Sequence, residues 1–379
     1  MKLFITFLVA VFVYWLQAYL YKRYWDKKLY LQLSFSRQEV CAGEELELIE
    51  EIKNEKRMPL SILLMKFSCP KCFHFFDEEH VTVTDSCYRN DTFFVNGYQR
   101  ITKKLPFVVT QRGYYKIRHI NLLTRDYFLT KQHAKLIESG HALSVMPKPY
   151  CDVELDRLYN HLLGEMINQS SLIDNPYTFS GIRDYTNRDS IRSINWKATA
   201  HNSQLMVNVY EHTSAQQIKV LLNLEALTDS SSDELNECAI SIVSACVHRF
   251  IGEQIPVAFA SNGQDVVTGE CDAIAAGGDY AHVLTIDRCL SRIGKAAGLE
   301  VFIDMLEKEI AIGNSNVTYI IVSPCHKEKL LKVVDELVER GMLVQMLVPC
   351  YSLGDETAVR SYIHTVKCGA EEPPAHAMR

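Results

Sequence analysis

The sequence predicts a multidomain protein with an N-terminal transmembrane helix, an all-β sandwich domain and a doubly wound α/β domain. Three patterns indicate this architecture: an apolar stretch near the N-terminus, a series of short alternating runs, and apolar strands separated by amphipathic helices. The predicted boundaries are a membrane anchor with its basic flank at 1–28, the β-sandwich at 29–149, a helical linker with a charged aromatic segment at 150–200, and the α/β domain at 201–379.

The apolar stretch runs from Leu3 to Tyr21 with only Thr6 and Gln17 as clearly polar interruptions. As a helix it would span about 28 Å, close to the hydrocarbon core of a bilayer. A cleaved signal peptide is the alternative, but its apolar region would be shorter and followed by small residues. The positive-inside rule predicts a single-pass protein of the cell membrane with its soluble domains in the cytoplasm. The basic residues that indicate this orientation are Lys22, Arg23, Lys27 and Lys28.

Residues 29–149 alternate in short runs rich in aromatic and β-branched residues, which predicts an antiparallel β-sandwich. Two prolines close to Tyr150 end this pattern, and a helical run with a polar patch follows. After Gly181, near-continuous apolar strands alternate with amphipathic helices. That alternation is typical of a largely parallel sheet covered on both faces.

Composition excludes several classes of protein. With 379 residues, 47% hydrophobic and 23% charged, the chain is neither largely disordered nor collagen-like. A net charge of −6 and the lack of a basic stripe beyond the N-terminal flank make nucleic acid an unexpected partner. The 12 cysteines are thinly spread, and many lie in apolar runs, so we expect buried, reduced thiols in a reducing compartment.

The segment 181–200, GIRDYTNRDSIRSINWKATA, carries the most specific motif of the chain. It resembles the signature of a large bacterial family, domain of unknown function number fifty-eight, which runs Gly-x-Arg-x-Tyr-x-x-Gly-Asp-x-x-Arg-x-Ile-x-Trp-x-x-Ser-Ala-Arg. The turn at Gly43, the run from Arg112 to Tyr115 and the segment from Arg125 to Phe128 add to the resemblance. Arg188 and His201 depart from the pattern, which indicates a divergent member.

This resemblance implies a membrane-bound protein with a β-sandwich and a von Willebrand A-like domain. The family is often encoded beside MoxR-type AAA+ ATPases and transglutaminase-like proteins, so these are the partners that the resemblance implies. We therefore expect a non-catalytic, membrane-tethered cytoplasmic scaffold or adaptor that engages a protein partner such as a MoxR-type ATPase.

The charged and aromatic residues of this segment have two interpretations. They either form internal ion pairs in a helix packed on the sheet, or they form a surface that a partner recognises, since Trp, Tyr and Arg dominate interface hot spots. We expect Trp196 to be mainly structural, because it lies close to the apolar Ile191 and Ile194. The candidate partner-binding residues are Arg183, Asp184, Tyr185, Arg188, Asp189, Arg192, Trp196 and Lys197.

No metal site or cofactor is expected in the α/β domain. A magnesium-binding von Willebrand A domain presents Asp-x-Ser-x-Ser after its first strand, because a hard cation needs several oxygen ligands. The corresponding segment here starts at Asn223 and carries Leu227, which cannot ligate, and Pro324 stands where an acidic residue is needed. Glu225 and Asp229 are the only obvious remnants.

Cys69 and Cys72 are the alternative candidate site. Their two-residue spacing is typical of half a zinc knuckle or of a redox pair, and His74, His80 and Cys87 follow. The second knuckle is missing, and the surroundings are β-rich rather than βαβ. A zinc- or thiol-dependent activity centred on these two cysteines is thus the alternative to the scaffold.

Overall fold

The computed structural model describes residues 2–77, 81–83, 87–151, 155–164, 179–186, 194–202, 204–210, 217–225, 230–313, 316–351 and 360–368. It divides into two compact units. The first comprises residues 1–148 with 287–294, and the second comprises 149–286 with 295–379.

The first unit begins with helix α1 (Lys2–Tyr24) and continues as β-strands. In chain order these are β1 (Leu29–Phe35), β2 (Glu39–Cys41), β3 (Glu45–Asn54), β4 (Leu60–Cys69), β5 (Phe73–Phe75), β6 (Val81–Val83), β7 (Cys87–Val95), β8 (Arg100–Val109), β9 (Gly113–Lys116), β10 (His119–Arg125), β11 (Gln132–Glu138) and β12 (Ala142–Met146).

Two antiparallel sheets, ordered β1-β3-β8-β5 and β11-β10-β4-β7-β6, account for most of these strands. Strands β3 and β4 bury alternate residues, as expected for strands that cover a core with one face. Leu48, Leu63 and Phe107 belong to one apolar cluster drawn from both sheets. The predicted β-sandwich character is confirmed. A third sheet, β2-β12-β9, contains a parallel pair and departs from the purely antiparallel expectation.

Helix α1 packs on this sandwich only through its C-terminal half. Residues 2–16 are exposed, whereas Tyr21 is fully buried and Trp25, just after the helix, is nearly so. The Tyr21 hydroxyl lies 2.6 Å from Oγ1 of Thr124, and its ring meets the Tyr127 ring edge-on at 5.3 Å. The helix is long and apolar enough to cross a membrane, a property that a signal sequence near the N-terminus shares.

The second unit combines a small hairpin with a larger sheet flanked by helices. Its described elements are α2 (155–164), β13 (Phe179–Asp184), α3 (Trp196–Asn202), β14 (Met206–Tyr210), β15 (Gln217–Leu222), α4 (Ser230–Gly252), β16 (Val257–Asp265), β17 (Cys271–Gly277), α5 (Tyr280–Arg292), β18 (Ile293–Ala296), α6 (Leu299–Ile312), β19 (Val317–Val322), α7 (Glu328–Glu339), β20 (Leu343–Cys350) and β21 (Ile363–Lys367). Residues 287–294, within α5 and β18, group with the first unit.

The larger sheet has the order β17-β16-β15-β19-β20-β21, with β18 also pairing with β16. The neighbours from β16 to β21 are parallel, and β17 is antiparallel to β16. Leu221 on β15 packs in one cluster with α6 and α7. Because alternate strand residues face opposite ways, Val220 and Leu222 face the other side, and α4 contacts the same strands. A largely parallel sheet with flanking helices is therefore observed, as the strand and helix pattern predicted.

One pair of cysteines differs from the expectation of reduced thiols. The sulfur atoms of Cys238 in α4 and Cys368 after β21 lie 2.04 Å apart and form a disulfide. The bond ties the edge strand of the large sheet to α4. The two residues are 130 positions apart, so nothing in their local spacing indicated the pairing.

Candidate functional site

The segment that carries the family resemblance folds around a two-stranded hairpin. Strands β13 and β14 are antiparallel, and Arg183 pairs with Val207 across them. Ile194 forms a bridge to the same Val207, and both of these apolar side chains are buried. The backbone N–H of Tyr185 donates to the Leu205 carbonyl at 2.8 Å. The hairpin thus has a small apolar base, from which α3 projects.

Helix α3 is held at its start and near its middle by short polar contacts. At its start, Oδ1 of Asn195 accepts from the backbone N–H of Ala198 at 3.0 Å, as an N-cap does. The Asn195 backbone N–H donates to the Met206 carbonyl at 2.8 Å. Further along, Oγ1 of Thr199 accepts from the Met206 N–H at 3.0 Å. These bonds fix the direction in which the first residue of the helix, Trp196, points.

Trp196 is 66% exposed, which corrects the expectation that it is mainly structural. The reason is that Ile194 turns inward to the hairpin while the Asn195 cap starts the helix and turns the next residue outward. Arg183, Asp184 and Lys197 are also exposed, and Tyr185 is half-buried. The strands β13 and β14 and helix α3 therefore bring five of the candidate binding residues into one small substructure. They are Arg183, Asp184, Tyr185, Trp196 and Lys197.

The other candidate residues, Arg188, Asp189 and Arg192, lie outside the described residues, as does Ile191. The expected ion pairs among Arg183, Asp184, Asp189 and Arg192 consequently remain a prediction. The guanidinium of Arg183 donates to the backbone carbonyl of Asp184 at 3.1 Å.

The carboxyl ends of the parallel strands carry a buried network of neutral polar groups. Nδ2 of Asn223 donates to Oγ of Ser323 at 2.9 Å, and Nδ2 of Asn262 donates to Oδ1 of Asn223 at 2.8 Å. Oδ1 of Asn262 accepts from the backbone N–H of Leu224 at 2.7 Å. All three polar side chains are fully buried. Their groups bind one another, and so they present little free oxygen to a cation.

Glu225, predicted as a remnant of a metal site, forms an ion pair with Lys327 at the start of α7. The hydrogen bond that Lys327 donates to Glu225 is the main cause of the raised pKa of Lys327. The ammonium group therefore stays charged beside the carboxylate. The ammonium group of Lys327 is thus already paired with this carboxylate, where a metal ion would otherwise bind. Within the described ranges, no group of three or more His, Cys, Asp or Glu side chains is placed to hold a metal ion. Leu227 and Asp229 lie outside those ranges.

The cysteines of the alternative site are buried in the sandwich. Cys69 lies opposite Cys87 in the β4 and β7 register, and its thiol contacts the Cys87 carbonyl at 3.5 Å. Burial raises the pKa of both the Cys69 and the Cys72 thiols. His74 is exposed, and His80 lies outside the described residues. Buried thiols with raised pKa values are poor nucleophiles and poor metal ligands.

A buried charged cluster in the sandwich was missed at the sequence level. Arg89 is fully buried, and its Nε donates to the Asp91 carboxylate at 2.7 Å. Nζ of Lys103 on β8 donates to the same carboxylate at 2.6 Å and so joins the two sheets. Glu50, opposite Lys103 on β3, is also fully buried. The signal was present, because period-two alternation places Arg89 and Asp91 on the face of Phe93 and Val95.

Comparisons with known proteins leave the family open. No family model matches the sequence, and no curated protein matches it. Among solved structures, the CARDB domain of a Pyrococcus furiosus protein, in complex with di-metal ions, is 14% identical and has a TM-score of 0.20, with 31% of this chain and 94% of that chain covered. A cohesin–dockerin complex from Clostridium thermocellum is 12% identical with a TM-score of 0.22, covering 31% and 99%. Likeness at this level carries no argument about function.

Proposed function

We propose that this chain is a membrane-anchored, non-catalytic binding protein that holds a protein partner through the surface around Trp196. In this proposal the second unit is von Willebrand A-like, the chain is a divergent member of the domain of unknown function family fifty-eight, and the partner is a MoxR-type AAA+ ATPase. A transglutaminase-like protein is a further partner in the same assembly.

The observation that carries the proposal is the exposure of Trp196. A tryptophan with two thirds of its surface in solvent contributes little to its own core, but it is the side chain most enriched at binding hot spots. Exposed Arg183 and Lys197 add long polar side chains on the same substructure. The Asn195 cap and the Ile194 bridge hold the helix rigidly, which lowers the entropic cost of binding.

Retention of α1 as an anchor is supported by its contacts with the sandwich. Tyr21 and Trp25 belong to the main apolar cluster of the first unit. Removal of α1 would leave that cluster without Tyr21 and would expose Thr124, whose hydroxyl lies within hydrogen-bond distance of the Tyr21 hydroxyl. A signal sequence that is cleaved has no reason to pack into the core of the mature domain.

The scaffold draws more support than the zinc- or thiol-dependent alternative. Cys69 and Cys72 are 3% and 7% exposed, and burial raises the pKa of each thiol. At the strand ends of the second unit, Lys327 neutralises Glu225. Neither place presents an activated nucleophile or an open set of ligands.

The cytoplasmic orientation is supported by the basic flank and opposed by the disulfide between Cys238 and Cys368, because such bonds persist mainly in oxidising compartments. A reporter fused after Arg379 decides between the two. Activity of a reporter that works only in the cytoplasm supports the proposed orientation. Activity of a periplasmic reporter would overturn it and leave the anchor itself intact.

The binding proposal is tested with Trp196→Ala in the full-length protein and a purified MoxR-type ATPase. We expect binding to weaken by at least about 2 kcal/mol, roughly thirtyfold in Kd, as for a hot-spot truncation. The melting temperature should change little, because the side chain is exposed. The matched control is Tyr280→Ala, which removes an aromatic side chain that is 70% exposed on the same unit. Equal binding by the two variants would contradict the role of Trp196.

A further inference from the structure

One end of the β-domain carries the turns that lie next to α1. Register places the start of β1 beside the end of β3, the start of β4 beside the end of β7, and the end of β10 beside the start of β11. The turns at 55–59, 96–99 and 126–131 therefore lie at the end where α1 enters the sandwich. They are joined directly, since the Tyr98 N–H donates to the Lys56 carbonyl and the Tyr127 hydroxyl donates to the Pro59 carbonyl.

The turn at 126–131 extends alongside α1. The Phe128 ring lies 5.9 Å from the Tyr14 ring, and the Tyr14 hydroxyl donates to Oγ1 of Thr130 at 3.1 Å. Tyr14 precedes Lys22, the first residue of the basic flank, by eight positions, which is about 12 Å along a helix axis. The tip of the turn thus reaches past the basic flank, along the segment of α1 that we propose to span the membrane.

The turn satisfies its polar groups internally and presents apolar side chains outward. The buried carboxylate of Asp126 accepts from the Thr130 N–H at 2.6 Å, from the Thr130 hydroxyl at 2.7 Å and from the Lys131 N–H at 3.1 Å. Tyr127, Phe128 and Leu129 are 42%, 54% and 50% exposed. A loop built in this way enters an apolar environment at low cost, because its tip leaves few polar groups to desolvate.

Leu129 and Tyr98, an exposed residue of the neighbouring turn at 96–99, occupy backbone conformations that favour glycine. Leu129 has φ 60° and Tyr98, which is 74% exposed, has φ 55°. Bulky residues are uncommon in the left-handed region. Glycine or asparagine would form the same turns with less strain, so the apolar side chain itself accounts for the choice of residue.

The charge at this end is mainly positive. Lys27, Lys28, Arg57 and Lys131 are exposed here. The nearby acids are paired, Asp26 with Lys135 and Glu55 with Lys53. Exposed cations around aromatic and aliphatic tips match the headgroup region of an anionic bilayer, where aromatic rings and basic side chains are both favoured.

We propose that the turns carrying Tyr98, Tyr127, Phe128 and Leu129 form a lipid-contacting surface that lies in the bilayer interface beside α1. The proposal rests on the membrane anchoring proposed above and extends it from the helix to the β-domain. The occupant is the lipid bilayer, and the consequence is a β-domain held against the membrane rather than tethered at a distance from it.

The test is photocrosslinking of the full-length protein in vesicles of phosphatidylcholine and phosphatidylglycerol. The photoreactive residue p-benzoylphenylalanine replaces Phe128, Tyr98 or, as a control, Phe76, and lipid adducts are measured by intact mass. Phe76 is 60% exposed. Its N–H donates to the carbonyl of Pro106 on β8. Pro106 lies six residues from Arg100, where β8 begins at the α1 end of the domain, so Phe76 is about 20 Å from that end. We expect adducts at positions 128 and 98 that exceed those at 76 several-fold.

Two outcomes would overturn the proposal, and they are distinguishable. If the protein floats with the vesicles and position 128 gives no more adduct than position 76, the lipid-contacting surface is wrong and the anchor stands. If the protein does not float, or its mass shows that α1 is absent, the membrane anchoring fails and the surface fails with it.

Discussion

The two units of this protein bury polar side chains in different ways. Inside the sandwich, Arg89 and Asp91 on one sheet are joined to Lys103 on the other by short ionic hydrogen bonds. At the strand ends of the second unit, Asn223 and Asn262 form a network of neutral amides with hydroxyl and backbone partners. Burial of charge is costly unless every charge is paired, whereas buried amides need only hydrogen bonds. The first unit should therefore depend on pH and on single charges far more than the second.

Glu50 makes this difference sharper. Its side chain is fully buried near Asp91, and neither of its carboxyl oxygens meets the geometric criteria of a hydrogen bond to a described residue. Burial, with the nearby charge of Asp91, raises the pKa of Glu50 to about 8. The pKa of Asp91 moves the other way: although burial would raise it, hydrogen bonds from Lys103 and Arg89 lower it. One carboxyl group of this pair is thus held as an acid and the other as a carboxylate.

The largest effect is expected from Arg89→Met. It leaves the Asp91 carboxylate buried with less compensation, which should cost about 3–5 kcal/mol of stability. Hydrogen exchange measured on peptides of each unit gives the loss for the sandwich separately from the second unit. The control is Arg100→Met, which breaks an exposed pair with Glu51 and should cost less than about 1 kcal/mol. Similar losses in both variants would contradict a special role for the buried charge.

The next effect is the pH dependence caused by Glu50. Its folded pKa lies above the value near 4.3 of an unfolded glutamate, so the folded state keeps a proton that the unfolded state has lost. The contribution of Glu50 to the stability of the sandwich should therefore be greatest below about pH 4.3. It should decrease as the pH rises toward 8, by up to about 1.4 kcal/mol per pH unit.

Glu50→Gln removes this titration and should flatten the pH dependence of the sandwich between pH 5 and 8. The measurement is hydrogen exchange of β3 peptides at several pH values, corrected for the intrinsic exchange rate. Peptides of β15 and β19 in the second unit serve as the internal control. An unchanged slope in the variant would show that another group causes the dependence.

A smaller loss is expected from Asn262→Ala. The substitution leaves the Leu224 N–H and the Gly298 carbonyl without their side-chain partner, which should cost about 1–3 kcal/mol in the second unit. The loss should be the same at pH 5 and pH 8, because the network is neutral. Asn236→Ala, which removes half-buried hydrogen bonds to the Glu225 backbone, is the matched control and should cost less. A loss that varies with pH would contradict the comparison.

The smallest expected effect is that of magnesium on the second unit. A bound ion at 100 times its Kd would add about 2.7 kcal/mol of stability. Lys327 forms an ion pair with Glu225, and the neighbouring amides of Asn223 and Asn262 are hydrogen-bonded to each other. We therefore expect millimolar magnesium to leave the melting temperature of the full-length protein unchanged. A rise that disappears in Glu225→Gln would identify a magnesium site there and refute this expectation.

Much of the architecture follows from local patterns in the sequence. The length and apolarity of α1 and the period-two runs of the sandwich are patterns among neighbouring residues. They can therefore be predicted without knowledge of the tertiary structure. The inward position of Arg89 and Asp91 could have been predicted in the same way from the alternation of β7. Proximity of Asn223 to Ser323 also follows in part, since adjacent parallel strands end at one edge of a sheet.

Other features were decided only by tertiary structure, because they depend on contacts between distant residues. Trp196 is exposed because Ile194 bridges Val207 on another strand and the Asn195 cap sets the start of α3, and apolarity alone predicted the opposite. The disulfide joins Cys238 to Cys368 through the position of an edge strand that the sequence pattern did not reveal. The sequence by itself determined the kind of the long, strongly patterned elements, such as α1, β3 and β19, since such a pattern is a local property. Which side chains reach solvent at the hairpin was settled by long-range pairing.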